Sequence, residues 1–252
     1  MRVTFLGTGG SLVSAERGYP AILINDDLLL DCGEGTTQKL IKLDAVEHIQ
    51  TICITHLHCD HFTGLFTLLW HDWILKRKES LTIVGPEGVE NAVESILTLV
   101  HTPPYMRTFD IHYHELKDGD DIQHVANGYD ITCLKTDHEP LTFAYRIEED
   151  GVSACYTGDT GPERDLVRLT GGCHLLMHEA SFPGRMRELA HGVHHSTPKD
   201  AATLARRSHS EVLALLHVSS TLLGDLSALK SEAEEVFKKR VIIAKDLMSL
   251  EF

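Results

Sequence analysis

Apolar positions along the chain keep two different periods, and the alternation between them predicts the elements. Short β-rich apolar runs mark strands at 3–6, 21–24, 28–31 and 51–55. The turn cluster Asn25-Asp26-Asp27 joins two of these into a hairpin. From 62 to 77, Leu65, Leu68, Leu69 and Trp73 recur at helical spacing and predict a helix. A strand at 81–84, a Gly-Pro break and a helix near 87–100 follow. The middle is strand-dominated, at 111–115, 129–136, 142–147 and 152–157. The last third returns to alternation, with a strand at 174–178, a helix at 198–208, a strand at 211–217, a helix at 226–238 and a final strand at 241–244. There is no solenoid repeat and no Pro/Ser-rich linker, so residues 1–252 are expected to form one domain. Hairpins combined with βα units predict an α/β fold of two sheets sandwiched between helices.

Composition narrows this picture. The 252 residues are 42% apolar, enough for a sizeable core and too many for a disordered chain. No apolar run approaches the roughly 18–20 residues that span a bilayer, so no membrane partner is expected. The formal net charge of −14 disfavours generic binding to polyanions, which rests on neutralising phosphates. The opening Met1-Arg2-Val3-Thr4-Phe5 reads as a strand and shows no secretory leader. Six cysteines, at 32, 53, 59, 133, 155 and 173, form no C-x-x-C pair. They are expected to be reduced and structural, in the cytoplasm. The count of 17 histidines asks for a metal, since imidazole is the commonest metal ligand.

The decisive stretch is Thr55-His56-Leu57-His58-Cys59-Asp60-His61. Three imidazoles and a carboxylate follow a β-branched strand and precede a helix, where one loop can turn them toward one place. These donors suit zinc and its neighbours. Four in six residues are too many for one open catalytic zinc with three protein ligands, which points to two metals. Further donors at strand ends are Asp159, His138 and His217, and Asp31 can serve either as a ligand or as a partner for a ligand histidine.

At these residues the chain resembles the metallo-β-lactamase superfamily, whose H-x-H-x-D-H core matches His56, His58, Asp60 and His61. The resemblance covers essentially the whole chain and implies a four-layer αβ/βα sandwich with the site at one edge of the sheets. It implies one zinc on His56, His58 and His138, a second on Asp60, His61 and His217, and Asp159 as the bridge. Diiron relatives place a Glu where His58 stands, so two Zn²⁺ are favoured, with Mn²⁺ as a substitute.

Within the superfamily the chain resembles the ribonuclease Z group. Phe5-Leu6-Gly7-Thr8-Gly9, Asp31-Cys32-Gly33-Glu34-Gly35-Thr36, His178-Glu179-Ala180-Ser181, His195-Ser196-Thr197 and His217-Val218-Ser219-Ser220 match its motifs. The likeness implies a binuclear metallohydrolase that cleaves phosphodiesters with metal-bound hydroxide. It further implies a substrate that is RNA at a 3′ end or a smaller phosphodiester, and a homodimer. It also implies roles for Asp60 in orienting or deprotonating the nucleophile, His195 as general acid and Glu179 as the group that orients His195. The same metals suit a lactonase, an arylsulfatase-like esterase or a β-lactamase, and a non-catalytic metal-binding module is the remaining alternative.

The chain also departs from that group. Only 20 residues separate His138 from Asp159, which leaves no room for the tRNA-binding arm inserted there in other members. Thr221 and Leu222 stand where Arg and Tyr usually follow the last motif, and Cys59 replaces a Gly in the core motif. His191 and His194 are candidates for substrate contact, and Arg185 and Arg187 for phosphate contact. Lys76-Arg77-Lys78 and Lys238-Lys239-Arg240 are read as cations complementing helix ends.

Overall fold

The computed structural model describes residues 1–119, 128–219, 221 and 225–252, together with the backbone of 123–126. The first six strands are β1 (Arg2–Gly7), β2 (Ala21–Ile24), β3 (Leu28–Leu30), β4 (Thr51–Cys53), β5 (Leu81–Pro86) and β6 (Ile111–Leu116). They lie side by side in chain order. A second sheet takes β7 (Gln123–Ala126), β8 (Tyr129–Lys135), β9 (Phe143–Glu149), β10 (Val152–Tyr156), β11 (Leu175–Glu179), β12 (Val212–Leu216) and β13 (Arg240–Ile243), again in order. The last strand, β14 (Met248–Glu251), returns to the first sheet and pairs antiparallel with β1.

The central strands read as unbroken apolar runs because both of their faces are covered. All four residues of β2 and all five of β12 are buried. Between the sheets, Val3, Phe5, Ile22 and Ile24 pack in one core with Ile131, Tyr145, Ala154 and Met177. The outer face of the first sheet carries α1 (Thr36–Lys42), α2 (Cys59–Phe62), α3 (Gly64–Ile74) and α4 (Val89–Leu99). Leu65, Leu68, Leu69 and Trp73 of α3 share a core there with Leu29, Ile52 and Ile83. The second sheet is covered by α5 (Leu166–Thr170), α7 (Pro198–Arg207) and α8 (Leu226–Phe237), with α6 (Arg187–Gly192) between α5 and α7 in the chain. The result is the expected four-layer sandwich. No helix among the described residues is long and apolar enough to cross a membrane.

Strands β3 to β6 run parallel, as do β10 to β13. Strand β8 shares the direction of β10, because both are antiparallel to β9. The loops after β3, β4, β8, β10, β11 and β12 therefore emerge at carboxyl ends, where open α/β sheets bind ligands. The β9–β10 connection is two residues, Asp150 at φ +50° and Gly151 at φ +80°, the left-handed pair that a type I′ hairpin needs. The 142–157 hairpin is thus as expected, and no arm is inserted in it.

Several local expectations change. The helix expected at 62–77 is two helices beginning at Cys59, and the break at Thr63 has a cause: Gly64 N–H donates to Cys32 O at 2.9 Å. Gly85 and Pro86 do not end the strand but complete β5, where they pair with Glu115 and Leu116. The segment 241–244 is not the final strand, since β14 follows it. That strand buries only Leu250, which left no apolar signature to read. Helices α1, α5 and α6, each of seven residues or fewer, were too short to carry a periodic pattern. Arg77 is not a helix-end cation: it bonds Asp72 at 2.9 Å and the Ile49 carbonyl, and lies over Phe109. Five of the six free cysteines are buried. Burial pushes the Cys32 thiol up to about 12, in keeping with a structural role.

Candidate metal centre

The first half of the site hangs on Asp31, fully buried just past β3 in a left-handed conformation at φ +58°. Its carboxylate accepts from Thr55 N at 2.7 Å, Thr55 Oγ1 at 3.0 Å, Tyr156 Oη at 2.8 Å and His61 Nδ1 at 2.7 Å. The His61 contact fixes the ring so that Nε2 faces the centre. Thr55 Oγ1 also lies 3.0 Å from His56 Nδ1, so this hydroxyl donates to Asp31 and accepts from His56. Asp31 therefore holds one histidine directly and a second through a hydroxyl. The loop is pressed inward by two glycines. A Cβ on Gly64 would meet Gly33 O at 2.0 Å, and one on Gly33 would meet Asp60 O at 2.3 Å.

The second half repeats this arrangement around Glu179, the buried last residue of β11. Glu179 accepts from His195 Nδ1 at 2.7 Å, Thr160 N at 3.0 Å and Ser181 Oγ at 2.6 Å. Ser181 Oγ in turn accepts from His217 Nδ1 at 2.8 Å. His217 directly follows β12, also left-handed at φ +57°. His195 lies two residues ahead of the α7 N-cap, Thr197. That helix start is fixed by a capping box between Thr197 and Asp200 and by Pro198 at its first turn. His138, in the β8–β9 loop, donates from Nδ1 to the His194 carbonyl at 3.0 Å, which turns its Nε2 toward His58 and Asp159.

These rings converge on two adjoining donor groups. In one, His58 Nδ1 lies 3.0 Å from His56 Nε2 and 3.4 Å from His138 Nε2. Asp159 Oδ2 approaches His56 and His138 at 3.9 and 4.0 Å. In the other, His217 Nε2 lies 3.3 Å from Asp60 Oδ2, and His61 Nε2 lies 3.6 Å from the same oxygen. Asp159 Oδ1 faces this second group, 3.2 Å from His217 and 3.5 Å from His61. One carboxylate thus presents an oxygen to each group.

The residues fit a pair of divalent cations. Donors on a tetrahedral ion with bonds of about 2.0–2.1 Å are about 3.3 Å apart, close to the spacings here. His61 Nε2 and Asp159 Oδ1 are buried with no hydrogen-bond partner, an arrangement that costs stability unless an ion satisfies both. Burial, reinforced by neighbouring imidazoles, holds His56 well below its ordinary pKa, and burial lowers His58 and His138. Neutral imidazole is the form that binds metal. Burial would raise Asp159, but His217 and His61 hold it well below the usual carboxylate range. His195 differs. Burial would lower it, but its hydrogen bond to the Glu179 carboxylate outweighs that and raises it to about 9. His58 is exposed and opens the site to solvent.

A family model described as the beta-lactamase superfamily domain matches residues 27–218. The ribonuclease Z of Archaeoglobus fulgidus is 30% identical over 305 aligned positions, which take in 99% of this chain and 97% of that protein. The chain belongs to the β-lactamase superfamily, in its ribonuclease Z family. The family member from Methanosarcina acetivorans is 29% identical, with 100% of this chain and 98% of its own covered. Among solved structures, the short form of human tRNase Z superposes with a TM-score of 0.84 at 29% identity, covering 100% and 99% of the two chains. YhfI of Bacillus subtilis, a metallo-β-lactamase fold protein, also reaches 0.84 at 23% identity, covering 99% and 98%, a likeness of fold. The alignment to the Archaeoglobus member runs to 305 positions against 252 residues here, so at least 53 positions have no counterpart in this chain.

All seven expected ligand residues of this ribonuclease Z family member fall within the two groups, and Glu179 meets His195 as expected. Other expectations change. His191 bonds Asp200 at 2.9 Å and His194 bonds Asp137 at 2.9 Å, so each ring already has a carboxylate partner. Arg185 pairs with Asp225 at 3.4 Å, and Arg187 lines a separate cavity with Arg164 and Arg207. Cys59 is exposed at the site rather than structural. Ser220 and Leu222 lie outside the described residues. The supporting roles of Thr55 and Ser181, which link histidines to the two carboxylates, and of Tyr156, which bonds Asp31, were not read from the sequence. Hydroxyls one or two residues from a motif histidine or carboxylate were the only signal for the first two.

Proposed function

We propose that this protein is a binuclear zinc phosphodiesterase of ribonuclease Z type that hydrolyses RNA at a 3′ end. The observation that carries this reading is Asp159, with one oxygen toward His56 and His138 and the other toward His61 and His217. His56, His58 and His138 would hold one ion and Asp60, His61 and His217 the other, with Asp159 available to both. The all-His/Asp donor set supports zinc, with manganese as a substitute.

Bound there, the cations supply a nucleophile from water near neutral pH and positive charge against the phosphate oxygens. The chain supplies the rest. Asp60, with one oxygen among the donors, orients or deprotonates the attacking water with the other. His195, raised to about 9, carries a proton at neutral pH and donates it to the leaving oxygen. Glu179 holds the His195 ring in place and stabilises its charged form. Asp31 and Thr55 keep His61 and His56 turned inward.

We further propose that residues 1–252 act as one domain, supported by the pairing of β1 with β14. We read the protein as a cytoplasmic homodimer, with its six free cysteines in keeping with a reducing compartment. Sedimentation of the metal-loaded protein tests the dimer. The function is tested by assaying zinc- and manganese-loaded protein on a bis-aryl phosphodiester and on a 3′-extended precursor tRNA. Both are expected to turn over. Turnover of the aryl diester alone moves the reading to a small phosphodiester, and turnover only of lactones or aryl sulfates sinks it.

A further inference from the structure

A cavity of about 320 Å³ is walled by His178 and Ser196, the chain neighbours of Glu179 and His195. Among the described residues that line it there is none of the seven candidate ligands. Three arginines reach it from three places. Arg164 comes from the loop between β10 and α5, Arg187 from the start of α6, and Arg207 from the last turn of α7. In a chain of net charge −14 their convergence reverses the local sign. A concave wall concentrates such a field, and guanidinium groups match the oxygens of tetrahedral anions.

Two carboxylates also line the cavity, and both are already supplied with donors. Asp200 accepts from Thr197 N at 3.1 Å, Thr197 Oγ1 at 2.6 Å and His191 Nε2 at 2.9 Å, and lies 3.7 Å from Arg187 Nε. Glu163 accepts from Asp165 N at 3.1 Å. Arg164 and Arg207 are exposed and make no ion pair among the described residues. Their guanidinium groups are therefore available to an anion.

His178 narrows the choice of anion. It is buried as the next-to-last residue of β11, and its Nδ1 donates to the Glu179 carbonyl at 2.8 Å. Burial lowers its pKa and keeps the ring neutral, so Nε2 is an acceptor. An anion that satisfies both the arginines and this nitrogen carries negative oxygens and a hydroxyl together. Hydrogen phosphate does so, whereas sulfate and the dianion of a phosphate monoester have no proton to give.

We propose that this cavity is a binding site for inorganic hydrogen phosphate, held by Arg164, Arg187 and Arg207 through its oxygens and by His178 through its hydroxyl. The site is separate from the metal centre, and its occupation does not depend on the phosphodiesterase reading. Through His178 and Ser196 the ion meets the segments that carry Glu179 and His195.

The test is modification of metal-loaded protein by phenylglyoxal, an arginine reagent, at about pH 8, where the monoester probe is a dianion. Ionic strength is held constant and the sites are mapped by peptide mass spectrometry. Phosphate at roughly ten times its Kd is expected to slow modification of Arg164, Arg187 and Arg207 about tenfold by mass action. Exposed Arg2 and Arg206, which do not line the cavity, are expected to react at an unchanged rate. Sulfate and glycerol 3-phosphate should need roughly 5- to 150-fold higher concentrations for the same protection, since each leaves Nε2 unmet. Arg207→Gln, at an exposed position, is expected to raise the phosphate concentration that protects Arg164 by roughly tenfold or more. Phosphate bound only at the metal centre would leave all three arginines reactive and overturn the site. Equal slowing at every arginine, or unchanged protection of Arg164 in Arg207→Gln, would overturn it too. Equal protection by sulfate or glycerol 3-phosphate would overturn the assignment to hydrogen phosphate.

Discussion

The two halves of the centre are built alike and tuned differently. Each has one buried carboxylate at a strand end that holds one histidine directly at 2.7 Å and another through a hydroxyl. On the first sheet, Asp31 holds His61 directly and His56 through Thr55, and both rings face the donor groups. On the second sheet, Glu179 holds His217 through Ser181 but spends its direct bond on His195. His195 keeps 18% of its side chain exposed and lines an apolar space with Leu12 and Phe182. In the proposed reading, the same device makes two ligands in one half, and a ligand and an acid in the other. What separates the outcomes is where the ring points and how much solvent it meets.

The sharpest way to break this comparison is to remove the residue that joins the halves. Asp159→Ala is expected to lower metal content below two equivalents by elemental analysis. It should also reduce phosphodiester turnover by roughly 10³-fold or more, since bound metals supply several kcal/mol of barrier lowering. Two retained equivalents would remove Asp159 from the bridge.

His195→Ala is expected to leave metal content unchanged, because His195 is assigned as an acid and not a ligand. Turnover of substrates with aliphatic leaving groups should fall by roughly 10²- to 10⁴-fold, and that of activated aryl substrates by no more than roughly tenfold. Equal slowing of both classes would end the acid assignment.

The two carboxylates then distinguish the halves directly. Asp31→Asn keeps the shape and tolerates the left-handed backbone, yet loses the charge that orients His61. Chelator competition is expected to report metal affinity weakened roughly 10- to 100-fold. Glu179→Gln acts mainly on His195, whose raised pKa it removes. The acid form is present below about 9 in the parent protein and is lost above it. In the variant the pKa falls toward the ordinary 6.5 or so, and the alkaline limb of the rate profile moves to lower pH. An unmoved limb would detach that limb from His195. A change in metal affinity as large as that of Asp31→Asn would erase the distinction between the halves.

Legibility in the sequence followed the range of the interactions. Strands buried on both faces, such as β2 and β12, carry their pattern in consecutive residues and were placed to within a residue or so. The ligand-rich loop 56–61 was legible for the same reason, since four donors share one turn of chain. Strand β14, with one buried residue, and the short helices α1, α5 and α6 owe their existence to what they pack or pair against. Among side chains, Arg77 shows the limit. It follows a helix and reads as a dipole partner, but the fold brings Ile49 and Phe109 to it.

The sequence by itself determined the donor chemistry, the strand ends that carry it and the absence of an insertion between His138 and Asp159. Those are properties of residue type and spacing along the chain. Only the tertiary structure decided which oxygen of Asp159 faces which histidines. It also decided that hydroxyls of Thr55 and Ser181 complete the two carboxylate supports, and that apolar side chains from 12 and 182–186 enclose a space beside His195. The bridging position of Asp159 and that apolar space depend on groups from both sheets meeting at one edge, and each support on neighbouring strand ends of one sheet. That meeting is fixed by burial of the core between the sheets, which no local pattern encodes.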